Sequence, residues 1–222
     1  MHPLRIAPSL LSCDFARLAD EVARVEAAGA DWLHVDVMDG HFVDNLTIGP
    51  PVVKAIKRVA RRPLDVHLMI TDPWRYARRF CDAGADVVTV HVEVLERGDG
   101  AALFRELRAC GVRIGIALNP DADVHRLAPW LAAVDMVLVM SVFAGFGGQK
   151  FMPEVLAKVR ALRGELGFRG EIEMDGGIDP ETIGACASAG TNVFVAGTAI
   201  FGASDIAARI RDMRERATAA RG

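Results

Sequence analysis

One junction recurs along the chain, and it restricts the fold more than any other feature. Ala28-Gly29-Ala30-Asp31, Ala83-Gly84-Ala85-Asp86 and Ala189-Gly190-Thr191-Asn192 each stand between a helical pattern and a Val-rich run. Glycine at such a point takes the left-handed conformation that ends a helix, and the polar residue opens the next strand. Gly84 to Gly111 is 27 residues, Gly29 to Gly84 is 55 and Gly84 to Gly190 is 106, which is one, two and four copies of one unit. Dividing 222 residues by eight gives about 28, the length a strand–helix–strand crossover requires.

Short β-branched runs fall at Leu4–Pro8, Trp32–Val37, Leu64–Ile70, Asp86–Val92, Arg113–Leu118, Asp135–Val142, Glu171–Asp175 and Asn192–Ala196. Helical patterns fill the intervals, near 15–28, 50–60, 73–83, 101–110, 122–133, 153–166, 180–188 and 203–218. Runs such as Val137-Leu138-Val139-Met140 are continuously apolar, the mark of a parallel sheet covered on both faces. Pro50-Pro51, Pro73, Pro153 and Pro180 suit first helical turns, with Asp72 and Asp179 as caps ahead of two of them. Eight such units predict an α/β fold, a single-domain (β/α)8 TIM barrel over residues 1–222, with an end that frays from about Ala217. An open doubly wound sheet is the alternative, weakened because no GxGxxG follows the first strand.

Composition narrows the function classes. An apolar share of 51% with 25% charged residues excludes a disordered chain, and a net charge of −3 gives no basic footprint for nucleic acid. The N-terminus lacks a signal-peptide pattern and no apolar run is long enough for a bilayer, so a cytoplasmic protein without membrane association is expected. Cys13, Cys81, Cys110 and Cys186 form no CxxC pair and read as reduced thiols.

Chemistry in a β/α barrel belongs at the C-terminal ends of the strands. Strand two ends His34-Val35-Asp36-Val37-Met38-Asp39-Gly40, strand three carries Asp65-Val66-His67-Leu68-Met69, and strand seven ends Glu173-Met174-Asp175-Gly176-Gly177. Alternation places His34 and Asp36 on one side of a strand, and His67 and Asp175 can converge with them inside the barrel. Two His and two Asp make a divalent-metal site suited to zinc, iron(II), manganese or cobalt, one ion per subunit. Two carboxylates facing each other across a cation suggest proton transfer on both faces of a carbon acid: one removes a proton, the metal stabilises the enediolate, and the other returns a proton. His91 and Glu93 read as supporting or structural groups; His2, His41 and His125 read as surface or loop residues.

Glycines cluster after strands six, seven and eight: Gly145-Phe146-Gly147-Gly148, Gly176-Gly177 and Gly197-Thr198. Backbone amides freed of side chains approach an anion closely, so these loops predict a phosphate site, and the first of them a lid. Met38, Met69 and Met140 fall at strand ends, either as gap-filling core or as an apolar wall around a reaction intermediate.

Seven motifs in order carry a family resemblance: Pro8-Ser9-Leu10-Leu11-Ser12-Cys13-Asp14-Phe15, His34 to Val43, Val66-His67-Leu68-Met69, Ala117-Leu118-Asn119-Pro120, Gly145-Phe146-Gly147-Gly148-Gln149-Lys150-Phe151, Asp175-Gly176-Gly177-Ile178 and Ala196-Gly197-Thr198-Ala199-Ile200-Phe201. Together they resemble ribulose-phosphate 3-epimerase. The resemblance implies interconversion of D-ribulose 5-phosphate and D-xylulose 5-phosphate, in the pentose phosphate pathway and the Calvin cycle. It implies His34, Asp36, His67 and Asp175 as metal ligands, Asp36 and Asp175 as proton carriers, Ser9 and His67 as substrate contacts, and a homo-oligomer between dimer and hexamer. Epimerisation of D-allulose 6-phosphate and sugar-phosphate binding without catalysis are the competing readings. The chain departs from the family's usual pattern at Phe143-Ala144, where Asn-Pro is usual, at Asp44 for Pro and at Thr198 for Ser.

Overall fold

The computed structural model describes residues 2–221. Eight parallel strands alternate with helices: β1 (Arg5–Pro8), β2 (Leu33–Met38), β3 (Leu64–Met69), β4 (Val87–His91), β5 (Arg113–Leu118), β6 (Met136–Met140), β7 (Glu171–Asp175) and β8 (Val193–Ala196). They pair in the order β1-β8-β7-β6-β5-β4-β3-β2, and a parallel bridge between Ser9 and His34 joins the two ends of that order. The sheet is therefore a ring, the (β/α)8 barrel that the 28-residue period predicts.

Each strand carries two sets of side chains, and the barrel sorts them. The outward set, including Ile6, Leu33, Val35, Leu64, Val66, Val88, Ile114, Val137, Ile172 and Phe194, is buried against the helices in one large apolar core. The inward set is not continuously apolar. At the N-terminal end Arg5 and Arg113 pair with Glu171 and stack over Trp32, at 4.8 and 5.3 Å from its ring. Above that plug, Ala7, Val87, Met136, Val193 and Val195 share the interior with buried His34, Asp36, Asp65, His67, Thr89, His91 and Glu173.

The helices follow their sequence signals. These are α1 (Leu18–Ala27), α2 (Pro50–Val59), α3 (Pro73–Ala83), α4 (Val92–Leu95), α5 (Gly100–Ala109), α6 (Leu156–Arg163), α7 (Ile183–Ala189), α8 (Thr198–Phe201) and α9 (Ile206–Ala219). Pro50 and Pro73 occupy first helical turns, Asp72 caps α3 by accepting from the Arg75 amide, and the four junction glycines at 29, 84, 111 and 190 all have positive φ. Asp179 accepts from the Glu181 and Thr182 amides one turn ahead of α7 and so prepares that helix without capping it.

Three expectations are corrected. The segment 122–133 forms a 3-10 turn at Val124–Leu127 and further turns, and no α-helix. Pro129 accounts for this, because it has no N–H and its ring collides with the carbonyl four residues back. Short helices α4 and α8 follow β4 and β8, where loops were expected. The C-terminal end does not fray at Ala217: α9 runs to Ala219 with Ala217 fully buried, Ser188 Oγ donates to the Ala220 carbonyl, and Arg221 donates to the His2 and Thr191 carbonyls. Gly222 lies outside the described residues. Among those residues no helix is long and apolar enough to cross a membrane, and all four cysteines are unpaired thiols.

Gly29, at φ 99°, has open space where a Cβ would stand. Gly29→Ala therefore isolates the backbone cost of the junction, about 1–2 kcal/mol, seen in thermal denaturation as a fall of about 2–8 °C with activity retained at lower temperature.

Candidate functional site

Strand register brings the chemistry to one depth. β2 pairs with β3 so that Asp36 stands level with His67 and Met38 with Met69, and β6 pairs with β7 so that Met140 stands level with Asp175. His34, Asp36, His67 and Asp175 each place one ligand atom within 4.8 Å of the others. His34 Nε2 is 3.3 Å from Asp36 Oδ1 and 3.9 Å from Asp175 Oδ2, and His67 Nδ1 is 3.4 Å from Asp36 Oδ1. Ser9 Oγ donates to Asp36 Oδ2 at 2.6 Å.

This group can hold a metal ion. His34 Nε2 is buried without a hydrogen-bond partner and faces both carboxylates, which is the arrangement a cation completes. The other nitrogen of that ring, Nδ1, lies 2.6 Å from Asp65 Oδ2. A carboxylate only accepts, so Nδ1 carries a proton and Nε2 is the nitrogen placed to face a cation.

The two carboxyls of the group are set apart electrostatically. Burial pushes Asp175 up, the Asp36 charge pushes it further, and His34 only partly opposes them, leaving it at about 7. Burial acts on Asp36 in the same sense, but there His34 and His67 outweigh it and hold the carboxyl far below its ordinary range. Burial works against a charged His34, yet Asp36 and Asp65 overcome it and hold that imidazole well above its ordinary value.

A cavity of about 1260 Å³ opens over this group at the C-terminal end of the barrel. Ser9, Asp36, Asp175 and all three methionines, Met38, Met69 and Met140, line it, together with Gly145, Phe146, Gly147, Gly148, Gly176, Gly177, Gly197 and Thr198. Every residue proposed from the sequence except the fully buried His34 and His67 thus faces one cavity. At Gly177 a Cβ would come within 2.7 Å of the Phe151 amide nitrogen and at Gly176 within 2.5 Å of Val142, so these loops have room for glycine alone. The Gly145–Gly148 loop is held by Asn45 Nδ2 on the Gly145 carbonyl and by Gln149 Nε2 on the carbonyls of Phe143 and Phe146, with both phenylalanines exposed at the mouth. Phe143-Ala144 stands at the stem of this loop, and the Ala144 amide donates to Asn119 Oδ1.

Sequence comparison decides the family. A model of the ribulose-phosphate 3-epimerase family matches residues 5–201. The chain belongs to that family. It is 51% identical over 220 residues to the ribulose-phosphate 3-epimerase of Mycobacterium tuberculosis, covering 97% of this chain and 93% of the relative. Identity is 50% with the cytoplasmic isoform of Oryza sativa, over 90% and 89% of the two chains, and 44% with the Bacillus subtilis enzyme, over 95% and 98%. This places the protein among the epimerases, enzymes of the isomerase class. The fold is shared with 3-hexulose-6-phosphate synthase from Salmonella typhimurium, at a TM-score of 0.71 and 20% identity over 98% and 100% of the two chains. It is shared likewise with 3-keto-L-gulonate-6-phosphate decarboxylase from Vibrio cholerae, at 0.73 and 22% over 97% and 99%.

Asp65 and Glu173 stand in the motifs singled out from the sequence but received no role there. They form a second carboxyl pair beneath the His34–Asp36–His67–Asp175 group, fully buried, with Asp65 level with His34 on the neighbouring strand. Burial and the nearby Asp65 charge push Glu173 well above the ordinary range. The signal for both was the same alternation that linked His34 to Asp36: each lies two residues before a residue of the upper group.

Metal-free protein is expected to take up one Zn2+ or Co2+ per chain, releasing protons because the ligands must give theirs up, so that affinity rises with pH. Calorimetry in buffers of different ionisation enthalpy checks this, and Asp36→Ala is expected to abolish the uptake.

Proposed function

We propose that this protein is a metal-dependent epimerase that interconverts D-ribulose 5-phosphate and D-xylulose 5-phosphate by proton transfer at C3. One observation carries the reading: Asp36 and Asp175 reach the same small volume from separate strands, with His34 and His67 beside them, at the floor of a glycine-rimmed cavity. The names of the relatives, ribulose-phosphate 3-epimerase, support a ribulose phosphate as the substrate.

Zinc, iron(II), manganese and cobalt all suit two imidazoles and two carboxylates. Held by His34, Asp36, His67 and Asp175, such a cation supplies positive charge that offsets the negative charge developing as C3 loses its proton. The residues of the chain do the rest. Asp36, ionised and steadied by Ser9, accepts the C3 proton from one face of the substrate. Asp175, kept protonated more readily by burial and by the Asp36 charge, delivers a proton to the other face; in the reverse direction the roles exchange. Transfer on opposite faces inverts the stereocentre and needs no redox cofactor.

The backbone amides of the loops Gly145–Gly148, Gly176–Gly177 and Gly197–Thr198 bind the phosphate, which fits a cavity where a side chain at Gly176, Gly177 or Gly197 would strike its neighbours. Met38, Met69 and Met140, nearly all their surface buried, give the reacting carbon an apolar, polarisable wall. Closure of the Gly145–Gly148 loop over the mouth excludes water from it.

In heavy water, both pentulose phosphates are expected to gain deuterium at C3 with the metal-loaded protein. Asp175→Asn is expected to lower turnover by about 10²–10⁴-fold while phosphate binding persists. Exchange at C3 that survives this substitution at full rate removes Asp175 from the mechanism, and faster turnover of D-allulose 6-phosphate overturns the substrate.

A further inference from the structure

His67 differs from His34 in how its ring is held. Its Nε2 meets no carboxylate; it lies 2.9 Å from Nε2 of His91, the last residue of β4. Both rings are fully buried and stacked, 5.0 Å between centroids at 21°, and Phe42 packs 4.7 Å from the His91 ring. The far nitrogen of His91, Nδ1, lies 3.1 Å from Glu93 Oε2 in α4, and the other oxygen of Glu93 accepts from the Asn119 amide at 2.8 Å.

We infer that Glu93, acting through His91, determines which ring nitrogen of His67 is left bare for a cation. The inference rests on the reading of His67 as a ligand. A carboxylate has no hydrogen to offer, so His91 Nδ1 carries the proton and its Nε2 presents a lone pair. Two ring nitrogens 2.9 Å apart need one hydrogen between them. When a cation is bound, that hydrogen sits on His67 Nε2 and leaves Nδ1, 3.4 Å from Asp36 Oδ1, bare to hold it. Glu93 stays ionised for this work: burial pushes it up, but the His91 ring and the backbone amides of Asn119 and Glu93 together outweigh that and hold it at about 2. The three links leave no other arrangement of hydrogens in which every buried nitrogen is satisfied and His67 can bind a cation. Glu93 and His91 touch neither the cation nor the substrate; they are positioning residues.

Glu93→Gln tests this because it is nearly isosteric and changes only what the side chain can accept. The Asn119 amide can only donate, so it keeps the Gln oxygen and turns the Gln NH2 toward His91 Nδ1. That group demands a lone pair, which moves the His91 proton to Nε2. Two N–H groups then oppose each other unless His67 inverts as well, placing a hydrogen on the ligand nitrogen. Zn2+ affinity, measured by chelator competition, is expected to fall by about 10–100-fold, and the absorption spectrum of the Co2+ form is expected to change. A cycle with His91→Phe separates positioning from loop support: if the effect runs through His91, Glu93→Gln adds little to the loss already caused by His91→Phe. Full additivity, or unchanged Zn2+ affinity in folded Glu93→Gln, overturns the inference. Nitrogen-15 NMR of the histidines in Zn2+-loaded wild-type protein needs no variant: protonation at His91 Nδ1 and His67 Nε2 supports it, and protonation at His91 Nε2 overturns it. Zn2+ affinity that survives His67→Ala undiminished overturns instead the reading of His67 as a ligand.

Discussion

The barrel closes where β1 meets β2, and everything at the site depends on that seam. Without it the two edge strands would leave a row of backbone groups unpaired, and the interior would open to water. The seam is made by Ser9 against His34, with the Asp31 and Trp32 amides meeting the Ile6 carbonyl below it. Closing the sheet therefore also sets a hydroxyl donor beside Asp36 and drives His34 into the dry interior. A polar seam at the mouth and an Arg–Glu–Trp plug at the base enclose one stack of inward side chains between them.

That stack holds more ionisable groups than an apolar barrel tolerates at no cost. Asp36, Asp65, Glu173 and Asp175 share the interior with only three imidazoles, His34, His67 and His91. Burying each charge costs several kcal/mol unless it is paired, and the oxygens of Glu173 and one of Asp65 have no partner. Two devices reduce the cost. Burial and neighbouring negative charge push Glu173 and Asp175 toward the protonated form, and the upper group can hold a metal ion, whose charge would balance its carboxylates. A core of this composition gives up stability for a preorganised site, which the outward apolar set around the ring makes good.

The periodic parts of the fold were legible because their signals are local. A glycine that must take positive φ, a proline that opens a helix and an aspartate that caps it each act within one turn. The failures have physical causes. The 122–133 segment carries a helical apolar pattern, but Pro129 blocks the helix regardless of pattern. The Ala-rich end looked too weak to hold, yet α9 packs on α7, with Ala217 fully buried and Ser188 Oγ donating to the Ala220 carbonyl. The segments after β4 and β8 form helices of one turn, Val92–Leu95 and Thr198–Phe201, too short for a 3.6-residue period to register.

Alternation along β2, β3 and β7 was enough to say that His34, Asp36, His67 and Asp175 face the interior, and the glycine clusters were enough to mark the mouth. The chain alone thus determined the eightfold repeat, the inward polar set and the end of the barrel where chemistry belongs. It did not determine depth. His34 and Asp65 stand at one level and Asp36 and His67 at the next, because β2 pairs with β3 in a particular register, and nothing local to either strand encodes it. The same holds for the links between His67, His91 and Glu93, which come from two strands and a helix and meet only in the closed ring. Which side chains face inward is a property of each strand; which of them touch, and therefore which nitrogen carries a proton, is decided by register and closure.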